Sequence, residues 1–200
     1  MLPHSDYYDE HAADFVEHTL TVDMTRLYEP FLEHIPMGGR ILDAGCGSGR
    51  DTRAFLAQGY EVVAMDASAK MVEAAAALTG QPVLHTRFQE IEWIEDFDGI
   101  WACASLLHVP RAEIGDVWRR LIRALKPSAV GFMSFKKGKG ESLRNGRFFN
   151  DYDEQELRAL IEQQEALNLL RLWITGDVRK GREQEQWINA VVRRVRCDGW

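Results

Sequence analysis

Asp43, Gly45, Gly47 and Gly49 occupy alternate positions in Ile41-Leu42-Asp43-Ala44-Gly45-Cys46-Gly47-Ser48-Gly49-Arg50-Asp51-Thr52, directly after a short apolar run. Glycine permits positive φ and lets a ligand lie against bare main chain. A strand, a tight glycine turn and a helix N-terminus together cradle the polar part of a nucleotide-like ligand. The dinucleotide spacing Gly-x-Gly-x-x-Gly accommodates Gly45 and Gly47 but puts Arg50 at its third glycine. Asp43 would also repel a pyrophosphate and attract a cation. The pattern suits a ligand carrying an ammonium and a sulfonium better than it suits NAD. Asp66 ends the run Tyr60–Met65, 17 residues beyond Gly49. That is near the spacing at which an acid closing a second strand accepts hydrogen bonds from ribose hydroxyls. The competing role for Asp66 is an N-cap for a helix over 68–79, and the pattern begun at Asp43 favours the ribose.

Residues 97–110 form a second stretch able to carry chemistry. They read as a strand reaching the carboxyl edge of a sheet, where open α/β sheets place ligands. The small residues Ala102, Cys103 and Ala104 leave room there for a reacting group. His108 can titrate near neutrality and is a candidate general base, or else a helix-start residue facing solvent. Phe88 and Gln89 follow a short strand over 82–86 and are placed to meet an adenine ring. Met71 flanks that ring or packs in the core. Residues 136–147 are the only dense basic run and hold three glycines, which reads as a mobile loop over the substrate. Arg144 or Arg147 would fork onto a carboxylate, phosphate or oxyanion, the competing view being a solvated charged loop. Tyr7 or Tyr8 covers the ligand or anchors its helix. No Pro-Cys pair marks Cys103 as an attacking thiol, no Pro-Pro-aromatic run is present to grip a nucleobase amine, and no Cys/His cluster has zinc spacing.

Asp-x-Gly-x-Gly-x-Gly closing a first strand resembles motif I of the class I S-adenosylmethionine (SAM) methyltransferases, and residues 97–110 resemble motif IV. Trp101-Ala102-x-Ala104-x-Leu106-Leu107-His108-Val109-Pro110, Gly47-Ser48-Gly49-Arg50-Asp51 and Gly146-Arg147-Phe148-Phe149 are similar to small freestanding members near the tellurite-resistance-like and type 11 groups. The resemblance covers nearly the whole chain. It implies an α/β, Rossmann-like, doubly wound seven-stranded sheet of order 3-2-1-4-5-7-6 with the last strand antiparallel. It also implies direct in-line methyl transfer from SAM to a small acceptor, leaving S-adenosylhomocysteine, and the basic run at 136–147 points to an anionic one. The cofactor set is then Asp43, Ala44, Gly45, Cys46, Gly47 and Gly49 at the methionine end, with Asp66 and Ala67 at the ribose. Met71, Phe88 and Gln89 serve the adenine, and Ala102 and Cys103 the sulfonium. Tyr8, Arg144 and Arg147 would meet the substrate, with His108 as the base and no metal. Two features depart from the family: Gln89 where relatives often have Asp, and Ser128-Ala129 where they have Gly-Gly after a proline. The alternatives are an RNA-modifying methyltransferase, which needs a basic stacking surface, and a non-catalytic regulatory module binding SAM or NAD.

The elements that must position these residues follow from periodicity. Two helical segments are expected over 5–34, the first capped by Ser5 or Asp6 and the second by Asp23. Apolar strands alternating with helices at 40–66, 82–86, 97–103 and 129–135 imply a parallel sheet buried on both faces. The helix from Arg111 is expected to stop at Lys126-Pro127. A capped helix over 153–164 and strands over 167–175 and 186–195 close the chain, with Trp173 and Trp187 in the core. The 200 residues fit one domain over 1–200, a helical cap over 1–37 on a core over 38–200. A 46% hydrophobic content sustains a buried core, and a formal charge of −7 argues against a DNA-coating surface. No run is long and apolar enough to span a membrane. Cys46, Cys103 and Cys197 read as free thiols in a reducing cytoplasm.

Overall fold

The computed structural model describes residues 4–179, 181–182 and 184–195. Cys197 and the side chains of Ser5 and Asp6 lie outside the described part. The first five strands are β1 (Arg40–Ala44), β2 (Glu61–Asp66), β3 (Val83–His85), β4 (Phe97–Ala102) and β5 (Leu125–Lys136). They are followed by β6 (Gly140–Arg144), β7 (Arg147–Asp151), β8 (Leu167–Gly176) and β9 (Gln186–Arg194). Seven of them form one sheet in the order β3-β2-β1-β4-β5-β9-β8, parallel from β3 to β5, with β9 antiparallel to both of its neighbours. Counting the strands of this sheet alone, the order is 3-2-1-4-5-7-6, as the resemblance implies.

The helices are α1 (His4–Glu10), α2 (Ala12–Leu20), α3 (Thr25–Leu32), α4 (Arg50–Ala57), α5 (Ala69–Thr79), α6 (Arg111–Ala124) and α7 (Glu154–Glu162). Strand alternation sends neighbouring residues to opposite faces. On β1, Leu42 and Ala44 join a core with Ile100, Ala102, Val117 and Trp118, while Ile41 joins Tyr28, Phe31, Phe55, Trp101 and Phe132 on the other side. Trp101 stacks on Phe132 with ring centroids 3.9 Å apart. No helix among the described residues is long and apolar enough to cross a membrane.

Four expectations are corrected. The N-terminal region holds three helices, not two, and α3 packs Tyr28 and Phe31 into the core while α1 and α2 lie on α5. The Asp23 carboxylate does accept from the Thr25 N–H at the start of α3, at 3.0 Å. The helix from Arg111 stops at Ala124, because a residue before proline is driven to extended backbone and Lys126 already belongs to β5. Ser128, where the resemblance implies glycine, takes φ +68°, the left-handed conformation that favours glycine. The basic run is no loop: β6 and β7 pair as a hairpin whose turn, Asn145-Gly146, has φ of +50° and +77°. Asn-Gly is the strongest short signal for a two-residue hairpin turn, and the density of charge hid it. Trp187 is only half-buried and faces a cavity, and Trp173 is half-buried against the Phe132 cluster.

Candidate active site

The bend after β1 is tied down by main chain. Gly45 and Cys46 both donate to the Met65 carbonyl at 2.9 Å. Gly45 sits at φ +83°, and a Cβ there would fall 2.5 Å from the Ser105 Cβ, so no other residue fits. Ser105 Oγ donates to the Ala44 carbonyl at 2.7 Å, joining this bend to the one after β4. Asp66 Oδ2 accepts from Gly47 N–H at 2.8 Å, and Oδ1 from Ser68 N–H at 2.9 Å. Capping of α5 is done by Ser68, whose Oγ accepts from Met71 N–H at 3.2 Å. Burial raises the Asp66 pKa, and the backbone donors oppose that rise. A carboxylate has about four acceptor positions, so two remain for a diol.

A cavity of about 980 Å³ opens along the carboxyl ends of the strands. Gly45, Cys46, Gly47, Asp66, Ala67, Met71, Phe88, Gln89 and Cys103 all line it, as do Tyr8, His108 and Arg147. Asp43, Ala44, Gly49, Ala102 and Arg144 do not. Its roof is α1 and α2. Phe15 lies over Gly47, Thr19 Oγ1 donates to Ser48 Oγ at 3.0 Å, and Ser68 Oγ donates to the Asp9 carboxylate at 2.5 Å. Gln89 Nε2 donates to Glu113 at 2.7 Å, which engages the side-chain amide expected at an adenine. Met71 is both core and wall, being 1% exposed.

Asp43 is not the open charge its position suggests. Its carboxyl is buried behind the wall and accepts from Thr52 Oγ1 at 2.5 Å. Burial first, and the nearby Asp51 charge second, push its pKa up to about 8. Asp51 takes the ionised role: Tyr28 Oη at 2.7 Å, Trp101 Nε1 at 2.8 Å and the Arg50 fork all donate to it. Burial opposes its ionisation, but these donors, led by Arg50, hold the pKa below the usual carboxylate range. Burial pushes the Cys103 thiol up to about 12, which disfavours the thiolate.

Across the cavity, His108 belongs to a short 3-10 turn, Leu106–His108, and does not face solvent as a helix start would. Its Nδ1 lies 2.8 Å from the Phe148 carbonyl of the hairpin, and its Nε2 lies 2.8 Å from Tyr8 Oη. A carbonyl only accepts, so Nδ1 carries the hydrogen and Nε2 of the neutral ring accepts from the Tyr8 hydroxyl. Burial raises the Tyr8 pKa and keeps the phenol a donor. The hairpin is itself docked by Asn150, which donates to the Val109 carbonyl at 3.1 Å and accepts from Arg111 Nε at 2.9 Å. Arg147 enters the cavity with its guanidinium 4.9 Å from the Tyr7 ring centroid. Arg144 is turned away and engages both Asp151 oxygens, at 2.7 and 2.8 Å. Lys136, Arg179 and Arg182 also line the cavity. The sequence marked neither Phe15 as part of the roof nor Asp51 as the ionised carboxylate, because each acquires its place through partners distant along the chain. No group of three or more potential metal ligands occurs among the described residues.

Residues 41–128 match a family model described as a methyltransferase domain. The chain is 31% identical over 114 residues to methyltransferase phqN of Penicillium fellutanum, covering 51% of this chain and 34% of that protein. It is 31% identical over 138 residues to 27-O-demethylrifamycin SV methyltransferase of Amycolatopsis mediterranei, covering 62% and 47%. The chain thus spans less than half the length of these relatives. In structure it resembles 1,6-didemethyltoxoflavin-N1-methyltransferase of Burkholderia thailandensis, with a TM-score of 0.79 at 20% identity over 96% of this chain and 87% of that one. Residues 41–128 thus match a methyltransferase domain, and the chain as a whole shares the Rossmann-like fold of that structure.

Proposed function

We propose that the protein transfers a methyl group from SAM to a small-molecule acceptor. The observation that carries this reading is the placement of Asp66 and the Gly45–Gly47 backbone in one cavity with the Tyr8–His108 pair. The cofactor fits the residues present: Asp66 keeps acceptor positions for the ribose hydroxyls, and Gly45 leaves bare main chain where a Cβ would block the bend. Phe88 and Met71 would flank the adenine, and Ala67 would adjoin the ribose. Cys46 and Gly47 line the methionine end, while Asp43, Ala44, Gly49 and Ala102 support the walls from behind. When bound, SAM supplies a methyl group on a sulfonium, already activated for in-line displacement.

The chain's task is mainly alignment, which supplies about 7–11 kcal/mol in well-oriented reactions. The α1–α2 roof would exclude water, and the cavity walls would hold the acceptor against the methyl donor. Where the acceptor must shed a proton, Tyr8 Oη would take it while passing its own hydrogen to His108 Nε2, the ring being held in the required tautomer by the Phe148 carbonyl. The roof and the enclosed volume favour a small acceptor over a folded RNA, as do the small molecules named for the relatives. The test is S-adenosylhomocysteine formation across panels of carboxylates, oxyanions, amines and transfer RNA. Turnover with a small molecule supports the reading; turnover with RNA alone, or binding of SAM without any turnover, contradicts it.

A further inference from the structure

The sheet order puts β4 between β1 and β5, and β9 beyond β5. At roughly 4.8 Å per strand, the tips of β5 and β9 stand about 10–15 Å from the glycine bend. That far end of the cavity is basic. Lys136 ends β5, Arg147 enters from the hairpin, and Arg179 and Arg182 come from the β8–β9 connection. Among the described residues, two acids pair with these four cations. Asp177 accepts from Arg179 Nε at 2.9 Å, and Glu185 pairs with Lys136 and lies 3.6 Å from Arg182 Nη1. Arg147 has a buried Nε with no hydrogen-bond partner among the described residues. Counting the described residues alone, positive charge exceeds negative by two in this half-enclosed space, and water there screens it less than at an open surface. Burial, Arg182 and Arg179 push the Lys136 pKa down to about 8, as crowded cations do. Arg144 does not line the cavity and is paired with Asp151. Beside this cluster the wall is apolar, with Leu107, Val109 and Phe149.

Resting on the methyltransferase reading, we infer that Lys136, Arg147 and Arg182 seat an anionic group, a carboxylate or a phosphate, borne by an organic methyl acceptor. The acceptor then lies along the cavity, its anion among the cations and its reacting atom near Tyr8 and His108. Forked guanidinium contacts suit both oxyanion types.

The test is titration of the full chain, with and without S-adenosylhomocysteine, by benzoate and phenyl phosphate. Benzamide serves as the neutral counterpart and inorganic phosphate as the free oxyanion. At least one organic anion should bind tenfold or more tightly than benzamide and more tightly than inorganic phosphate. Arg147→Gln and Arg182→Gln should each weaken it about tenfold or more while S-adenosylhomocysteine affinity holds. Arg182 is partly exposed, so its replacement guards against a folding defect. Equal binding of benzamide, tightest binding of inorganic phosphate, or wild-type anion affinity in both variants would overturn the inference. Failure of S-adenosylhomocysteine to bind would instead remove the methyltransferase reading, and the anion titration without it still decides this one.

Discussion

Asp66 is available to a ligand because Ser68 relieves it of capping α5. Asp66→Ala removes two acceptor positions for a diol, and charged hydrogen bonds contribute about 1.5–3 kcal/mol each. Binding of S-adenosylhomocysteine, measured by calorimetry, should weaken by about tenfold or more. His108→Gln should leave that binding intact and lower kcat by about 10²–10⁴-fold for an acceptor that must lose a proton. Asp43 makes a separate claim. Its folded pKa of about 8 lies above the ordinary carboxylate value, so the folded state keeps a proton that the unfolded chain releases. Its stabilising contribution is complete below about pH 4 and is lost as pH rises towards 8. Asp43→Asn should flatten the fall in denaturation free energy between pH 5 and 8, by up to about 1.4 kcal/mol per pH unit. Identical slopes would show that Asp43 is ionised when folded. Sequence spacing located Asp43 and Asp66 but not their division of labour, since Asp51 draws its donors from Tyr28 and Trp101, 23 and 50 residues away.

The elements differ in how openly the chain announces them. Buried parallel strands need continuous apolar runs, so β1, β2, β4 and β5 are legible from residue type alone, as is the capped start of α7 at Asp153. The β6–β7 hairpin is not, because its strands are short and β6 is polar and largely exposed, and only Asn145-Gly146 betrays it. The consequence reaches the site: the hairpin delivers the Phe148 carbonyl to His108 and separates the cavity-facing Arg147 from the self-paired Arg144. Packing between α4 and α5 is set by Gly49, where a Cβ would lie 2.9 Å from the Ala75 Cα at φ +79°. Gly49→Ala combines a left-handed backbone cost of about 1–2 kcal/mol with overpacking of about 1–3 kcal/mol. Urea denaturation should show a loss of about 2–4 kcal/mol, and a loss under 1 kcal/mol would mean the two helices can part freely.

At the scale of the molecule, one sheet edge gathers everything: the glycine bend and Asp66 at the β1 and β2 tips, His108 beyond β4, and the cations beyond β5 and β9. Two helices close over it, so on the proposed function a cofactor and its acceptor would share one enclosed space. The central claim is that this space takes a sulfonium nucleoside and not a dinucleotide. Calorimetric titration of the full chain with S-adenosylhomocysteine, set beside NAD, addresses it most directly. The account predicts one saturable site for S-adenosylhomocysteine and no heat from NAD at the same concentrations. Saturable binding of NAD with none of S-adenosylhomocysteine would contradict it.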